Sequence, residues 1–195
     1  MQSLIDVGHV LFGENYVQET LGKSPLLPPN VGIHFIGPLQ SNKAVSLVKG
    51  CRQLKVVETV CTAKVATLLQ QAAKQHRQGL DKLGVYVQVD TSLEETKSGV
   101  EYNKPEDVFA LVDFIVGSCP DLEFKGVMTI GRAGDESCFD KLQALADVVE
   151  ARVGFKIDRS MGMSGDFETA IKKGATSIRV GSSIFGARDY SAKKN

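Results

Sequence analysis

The chain has 195 residues, of which 43% are hydrophobic and 24% charged, proportions typical of a globular domain with a hydrophobic core. This length suits one domain, and we expect a single domain over residues 1–195. A formal net charge of +0 provides no broad field to attract nucleic acid or an anionic membrane, and no apolar run is long enough to span a bilayer. Composition therefore argues against nucleic-acid and membrane partners.

The cysteines and histidines form no metal-binding pattern. The four cysteines include no CxxC pair, and the three histidines are scattered along the chain. This spacing predicts reduced thiols in an intracellular protein and no metal site. Because the N-terminus carries no signal-peptide pattern, we expect a cytoplasmic location, and a mitochondrial one stays open.

Short apolar segments alternate with longer segments of helical periodicity along the chain. The first residues are typical of the last turn of a helix, with Gly8 as its C-terminal stop. Pro105 suits the first turn of a later helix, and Gly174 suits the end of another. The predicted strands are residues 10–13, 33–37, 55–59, 85–90, 124–130, 157–161 and 177–181. The predicted helices include residues 65–72, a segment opening at 103, and residues 137–151 and 166–173.

This alternation predicts an α/β fold with a parallel sheet, either doubly wound or closed into a (β/α)8 barrel. A doubly wound dinucleotide site needs a Gly-rich turn after the first strand, and none is present there. Small residues follow the last two strands instead, where barrels commonly hold phosphate. We therefore predict a barrel. A complete barrel has eight strands and about 250 residues, so we predict that strand 1 is missing, with seven strands visible. Open edges should then make the chain marginally stable, oligomeric or aggregation-prone.

Two segments predict a phosphate site at the ends of the last two strands. In residues 160–166 a strand turns through small residues into a helix, and Ser164 can cap that helix and face an anion. Gly181 and Ser182 can bring N–H groups and a hydroxyl close to an anion. Plain helix capping without a ligand is the alternative for the first segment.

Three further polar residues lie in or just after predicted strands. Arg179 interrupts an apolar strand, so it must meet an acceptor, either a ligand or a structural ion-pair partner. Asn15 follows the first strand and alone would be a helix cap. His34 lies within the second strand, where a core histidine is the common alternative to a functional one.

Six sequence blocks stand out over about residues 4–192: FGENYVQE (12–19), HFIGPLQSNK (34–43), KSG (97–99), GVMTIG (126–131), SMGMSGDFETAI (160–171) and IRVGSSIFGARDY (178–190). Together they resemble the pyridoxal phosphate homeostasis proteins. That family shares its barrel with the N-terminal domain of alanine racemase. The resemblance implies pyridoxal 5'-phosphate (PLP) as the cofactor.

The same resemblance assigns roles to individual residues. It implies that Ser164, Gly181 and Ser182 hold the phosphate and that Arg179 faces the pyridine nitrogen and keeps it unprotonated. Asn15 and His34 are implied to line the pocket near the ring; all six residues are present in the chain. An uncharged ring nitrogen is a poor electron sink, which suits a carrier more than a catalyst.

The implied function is buffering and delivery of PLP, with PLP-dependent apo-enzymes as further partners and no catalytic turnover. The chain departs from the family in one respect: no block resembles AVSKTKP, which carries the aldimine lysine on strand 1. Lys43 and Lys97 lie on the correct side of the barrel to replace it, although solvated lysines are the alternative. Other readings are a PLP-dependent racemase-like enzyme, a barrel enzyme acting on a sugar phosphate, and a truncated product that binds nothing.

Overall fold

The computed structural model describes residues 1–94 and 98–186. Strands and helices alternate along this part of the chain, and short 3-10 turns at Ser24–Leu26 and Ser41–Lys43 precede β2 and α3. The elements are α1 Gln2–Asp6, β1 Leu11–Glu14, α2 Val17–Lys23, β2 Gly32–Phe35, α3 Ala44–Gly50, β3 Leu54–Val60, α4 Ala63–His76, β4 Leu83–Asp90, β5 Val100–Glu101, α5 Pro105–Ser118, β6 Leu122–Met128, α6 Ser137–Val153, β7 Asp158–Met163, α7 Phe167–Lys172, β8 Ser177–Arg179 and α8 Ser182–Phe185.

All seven predicted strands are present, with bounds that differ by a few residues. The elements that sequence analysis missed are short: β5 has two residues, α8 has four, and α2 and α3 have seven each. Elements of one or two turns are too short for a periodic pattern to stand out. No helix in the described part of the chain is long and apolar enough to cross a membrane.

The sheet is parallel, and its strands follow one another in chain order, β1-β2-β3-β4-β6-β7-β8, while β5 pairs with β4 off this path. In a doubly wound sheet the order reverses at a switch point, whereas here each strand is added on the same side. The predicted barrel of the alanine racemase type is therefore confirmed over the doubly wound alternative.

The prediction that strand 1 is missing is not confirmed. The first described strand, β1, is the segment predicted at residues 10–13; it lies at one end of the path and β8 lies at the other, and within the described residues no pairing joins them. Apolar side chains are exposed on both end strands, with Leu11 46% and Ile178 37% exposed.

Edge strands with unpaired backbone groups are templates for pairing with another chain. We therefore expect the purified chain to associate in solution and to unfold over a broad temperature range. Light scattering combined with a thermal melt checks this expectation. A monomer that melts sharply and reversibly would contradict it.

The central strand β4 is buried on both faces. All eight residues of β4 are buried. Its alternate residues Leu83, Val85 and Val87 join the large core between the sheet and the helices. Tyr86 points the other way and packs in a separate small cluster with Val56 and Met128 inside the barrel. Burial on both faces explains why the sequence of β4 is an almost continuous apolar run.

One ion-pair cluster ties α6 to β7, the strand that leads to the candidate site. Glu150 accepts from the Lys156 ammonium (2.8 Å), the Ile157 backbone N–H (3.0 Å) and Arg159 Nη1 (3.0 Å). Arg159 also donates to Asp147 at 2.7 Å. The bonds from Lys156, Ile157 and Arg159, in that order of importance, lower the pKa of Glu150 from 4.5 to about 2.

This cluster predicts a specific acid dependence of stability. Because the folded-state pKa of Glu150 lies below its ordinary value, its contribution is complete above pH 4.5 and is lost as the pH falls toward about 2. We expect Glu150→Gln to lower the unfolding midpoint at neutral pH and to flatten its decline across that acid window. Chemical unfolding at a series of pH values measures this, with the exposed Glu106→Gln as control. Parallel acid profiles for the wild type and Glu150→Gln would rule out the assignment.

Candidate functional site

The loops after β7 and β8 meet at the carboxyl-end rim of the barrel, where barrel proteins carry their functional groups. The Ser164 hydroxyl oxygen accepts from the backbone N–H groups of Gly181 (3.0 Å) and Ser183 (3.4 Å). Ser164 is half-buried, whereas Gly181, Ser182 and Ser183 are exposed. The two predicted phosphate segments are therefore brought together, with two N–H groups converging on one point.

The predicted helix-capping role of Ser164 is wrong. The helix α7 begins three residues later, at Phe167, with Asp166 at the N-cap position. The Asp166 carboxylate accepts from the Met163 backbone N–H at 2.6 Å, which closes the turn before the helix starts. The turn also needs a glycine at 162, because its φ is +91° and a Cβ there would lie 2.5 Å from the Ala170 Cβ. The hydroxyl of Ser164 is thus directed at the β8 loop.

Arg179 points into the barrel and meets acceptors, as predicted. Its Nη1 donates to the Ser160 hydroxyl and its Nη2 to the Thr129 carbonyl, both at 2.7 Å. Burial lowers the pKa of the guanidinium, and the negative charges of Glu58 and Asp166 oppose that shift. The Nε has no hydrogen-bond partner within the described residues, so one N–H of the fork is available to an acceptor.

A buried carboxylate, Glu58, lies at the centre of this arrangement and is only 1% exposed. Its Oε1 lies 2.6 Å from His34 Nδ1, and its Oε2 accepts from the Ser160 hydroxyl at 2.5 Å. Glu58 is on β3 and Ser160 on β7, strands that are separated by β4 and β6 in the sheet order. A bond between them shows that the sheet curls around the interior. We call His34, Glu58, Ser160 and Arg179 the interior network.

Sequence analysis missed Glu58. The signal was present, because Glu58 is a charged residue within the apolar run of β3, and a buried charge needs a partner. Its partner Ser160 was noted only as part of a turn.

Tyr86 lies in the barrel interior near the network. Its hydroxyl donates to Asp158 Oδ2 at 2.9 Å, and its ring centre lies 6.5 Å from that of His34. Burial raises the pKa of Tyr86 well above its usual range, and the charges of Asp158 and Glu58 raise it further. Tyr86 is therefore a neutral donor at neutral pH.

Asn15 lies at the rim but outside the interior network. It is exposed, and its side chain makes no hydrogen bond with the residues described. Its loop is held against the loop after β2, since a Cβ on Gly37 would lie 1.9 Å from the Asn15 carbonyl oxygen. The Ile36 N–H also donates to the Glu14 carbonyl at 2.9 Å. The structure thus places Asn15 near the neighbouring strand end, and no hydrogen bond within the described residues joins its side chain to His34 or Arg179.

Several of the lysines at this end of the barrel lie within the described residues, among them Lys43 and Lys141. Lys43 is half-buried at the end of the 3-10 turn after β2. Lys141, which sequence analysis did not consider, reaches from α6 to the Thr91 carbonyl after β4 at 3.1 Å. Lys97 lies outside the described residues.

The remaining reactive side chains offer no second chemistry. In residues 1–94 and 98–186, no group of three His, Cys, Asp or Glu side chains could hold a metal ion. Burial raises the pKa of the Cys51, Cys61 and Cys119 thiols, so at neutral pH they are protonated and weakly nucleophilic.

Comparison with known proteins identifies one family for this chain. The family model described as "Alanine racemase, N-terminal domain" matches residues 2–189. The pyridoxal phosphate homeostasis protein of Caenorhabditis elegans is 41% identical over 93% of this chain and 78% of its own length. The human protein of that name is 38% identical over 95% of this chain and 71% of its own length.

Solved structures show the same fold. PipY of Synechococcus elongatus, whose structure was solved with PLP bound, superposes with a TM-score of 0.80 at 27% identity. That match covers 95% of this chain and 85% of PipY. An alanine racemase of Clostridium difficile superposes with a TM-score of 0.71 at 14% identity, over 97% of this chain and 48% of the racemase. The latter likeness shows the fold alone.

Proposed function

Because this chain belongs to the pyridoxal phosphate homeostasis protein family and has the barrel of the alanine racemase N-terminal domain, we propose that it binds PLP at the rim described above. Its role is to hold the cofactor and hand it over to apo-enzymes, without turnover of a substrate. The observation that carries the proposal is the meeting of two N–H groups at Ser164, at the same rim as Arg179 and the interior network.

The β7 and β8 loops offer what a phosphate needs. The N–H groups of Gly181 and Ser183, two exposed residues, share one acceptor, the Ser164 oxygen, at 3.0 and 3.4 Å. A phosphate oxygen can replace or join that acceptor, since backbone N–H groups that converge in a turn form an anion site. The exposed Ser182 hydroxyl makes no bond with the described residues and adds a further donor.

Arg179 suits an unprotonated ring nitrogen. A guanidinium can only donate hydrogen bonds, so the partner of its free Nε has to be an acceptor. A pyridine nitrogen held in this way stays uncharged. When bound, PLP supplies an aldehyde that takes up amines and a ring that withdraws electrons, and an uncharged ring withdraws them weakly. This supports storage of the cofactor over racemisation.

The experiment is a titration of the purified chain with PLP, followed by absorbance. We expect saturable binding, and we expect Ser164→Ala to weaken it about tenfold, since the loss of a hydrogen bond to a charged group costs on the order of 1.5 kcal/mol. Ser118→Ala, an exposed serine at the end of α5, is the matched control. Absence of binding by the wild type would overturn the proposal and favour the non-binding reading.

Borohydride reduction and intact-mass measurement then show whether a lysine holds the cofactor covalently. We expect PLP to be retained without a reduced adduct, because the described lysines at the rim have no part in the interior network. A reduced adduct would contradict this, and peptide mapping would then decide between Lys43, Lys97 and Lys141.

A further inference from the structure

Glu58 is buried inside the barrel with both carboxylate oxygens occupied. It is 1% exposed, and its two oxygens lie within hydrogen-bond distance of two other strands, at His34 Nδ1 on β2 and at the Ser160 hydroxyl on β7. A carboxylate in such a place is costly unless it is well paired, so its position needs a reason beyond packing.

The direction of each hydrogen bond in the interior network follows from Arg179. A guanidinium can only donate, so the Ser160 oxygen must accept from Nη1 at 2.7 Å. The proton of the Ser160 hydroxyl is therefore directed at Glu58 Oε2, which accepts it at 2.5 Å. Glu58 and Arg179 also attract each other across this hydroxyl. Glu58 thus holds the guanidinium in place, and Nε of Arg179 remains without a hydrogen-bond partner among the described residues.

The same carboxylate decides which nitrogen of His34 carries the proton. An ionised carboxylate only accepts, so His34 Nδ1, 2.6 Å away, must be the donor. In the neutral imidazole, Nε2 is then a bare acceptor. Nε2 makes no hydrogen bond with the described residues, and the side chain is 16% exposed, so a ligand can reach it.

We propose that Glu58 is a positioning residue that sets both polar contacts of the ligand: an acceptor at His34 Nε2 and a donor at Arg179 Nε. The ligand it selects carries a donor group and an acceptor nitrogen on one ring, as a hydroxypyridine does. This inference rests on the proposed function and specifies how the ring is chosen. A residue that served only to neutralise Arg179 would need no bond to His34.

The test reads the tautomer directly in the full chain without ligand. In protein labelled with 15N-histidine, the imidazole shifts of His34, assigned with a His34→Gln variant, should report the Nδ1–H tautomer. Glu58→Gln can present its amide N–H group to Nδ1, so we expect His34 to switch to the Nε2–H tautomer. The signals of His9 and His76 should not change, because neither residue contacts Glu58.

The same variant should bind PLP at least tenfold more weakly, while Glu123→Gln, an exposed carboxylate on β6, should bind normally. Should Glu58→Gln fail to fold, Ser160→Ala tests the link between Glu58 and Arg179. The PLP affinity of this variant should fall, while His34 keeps its Nδ1–H tautomer. An Nε2–H tautomer in the wild type, an unchanged tautomer in Glu58→Gln, or a changed tautomer with unchanged affinity would each overturn the inference. The NMR result holds whether or not PLP binds, so failure of the proposed function is distinguishable from failure of this assignment.

Discussion

Replacement of Arg179 by methionine is expected to reduce PLP affinity at least 100-fold and to destabilise the fold by about 3 kcal/mol. Methionine keeps much of the side-chain volume but removes the donors to Ser160 and Thr129. It also leaves Glu58 as a buried negative charge without its cation, and the loss of one partner of a buried charged pair costs about 3–5 kcal/mol. Urea unfolding and PLP titration of the same variant measure both effects.

The matched control for this variant is Arg52→Met, an exposed arginine that precedes β3 at the opposite end of the barrel. It should leave both stability and affinity near the wild-type values. Arg179→Lys should have a stability and a PLP affinity between those of the wild type and the methionine variant, because an ammonium keeps the charge but lacks the geometry of a guanidinium fork. Wild-type affinity in the methionine variant would remove Arg179 from the ligand site.

Replacement of Gly126 by alanine is expected to disrupt the barrel beneath the site. We expect the free energy of unfolding to fall by about 3 kcal/mol, the upper end of the range of about 1–3 kcal/mol for overpacked cores. Gly126 pairs with Asp158 in the β6–β7 register. A Cβ on Gly126 would lie 2.0 Å from the Asp158 carbonyl oxygen. Since backbone atoms cannot rotate away, the two strands have to separate, and β7 carries Ser160. Circular dichroism and urea unfolding check this expectation.

Gly117→Ala provides the control for the glycine substitution. Gly117 lies within α5, and a Cβ there meets no atom within 4 Å. Because alanine is the better helix former, this variant should gain about 0.5–1 kcal/mol. Equal stability of the Gly126 and Gly117 variants would mean that β6 and β7 do not approach as described.

Much of the fold could be predicted from the local sequence. Each of the seven path strands has a short apolar segment of its own, and Pro105 marked the start of α5. The meeting of the two candidate phosphate loops could be predicted too, because the ends of consecutive parallel strands share one rim, which brings Ser164 and Gly181 together. These features depend on residues close in the sequence or on the order of elements.

Contacts between distant strands could not be predicted from the local sequence. Glu58 contacts His34 across 24 positions and Ser160 across 102, and no local pattern encodes those distances. The assignment of Ser164 as a cap was wrong for a related reason. Local propensity favours serine at a helix start, but the hydroxyl was taken by N–H groups 17 and 19 positions away.

The sequence by itself therefore determined the α/β alternation, the parallel order and the two loops that meet at the rim, because periodicity and turn residues act locally. Only the tertiary structure decided which charged and polar side chains meet inside the barrel. It showed that a buried carboxylate joins His34 to Arg179 through Ser160, because the curl of the sheet brings β3 and β7 face to face across the barrel.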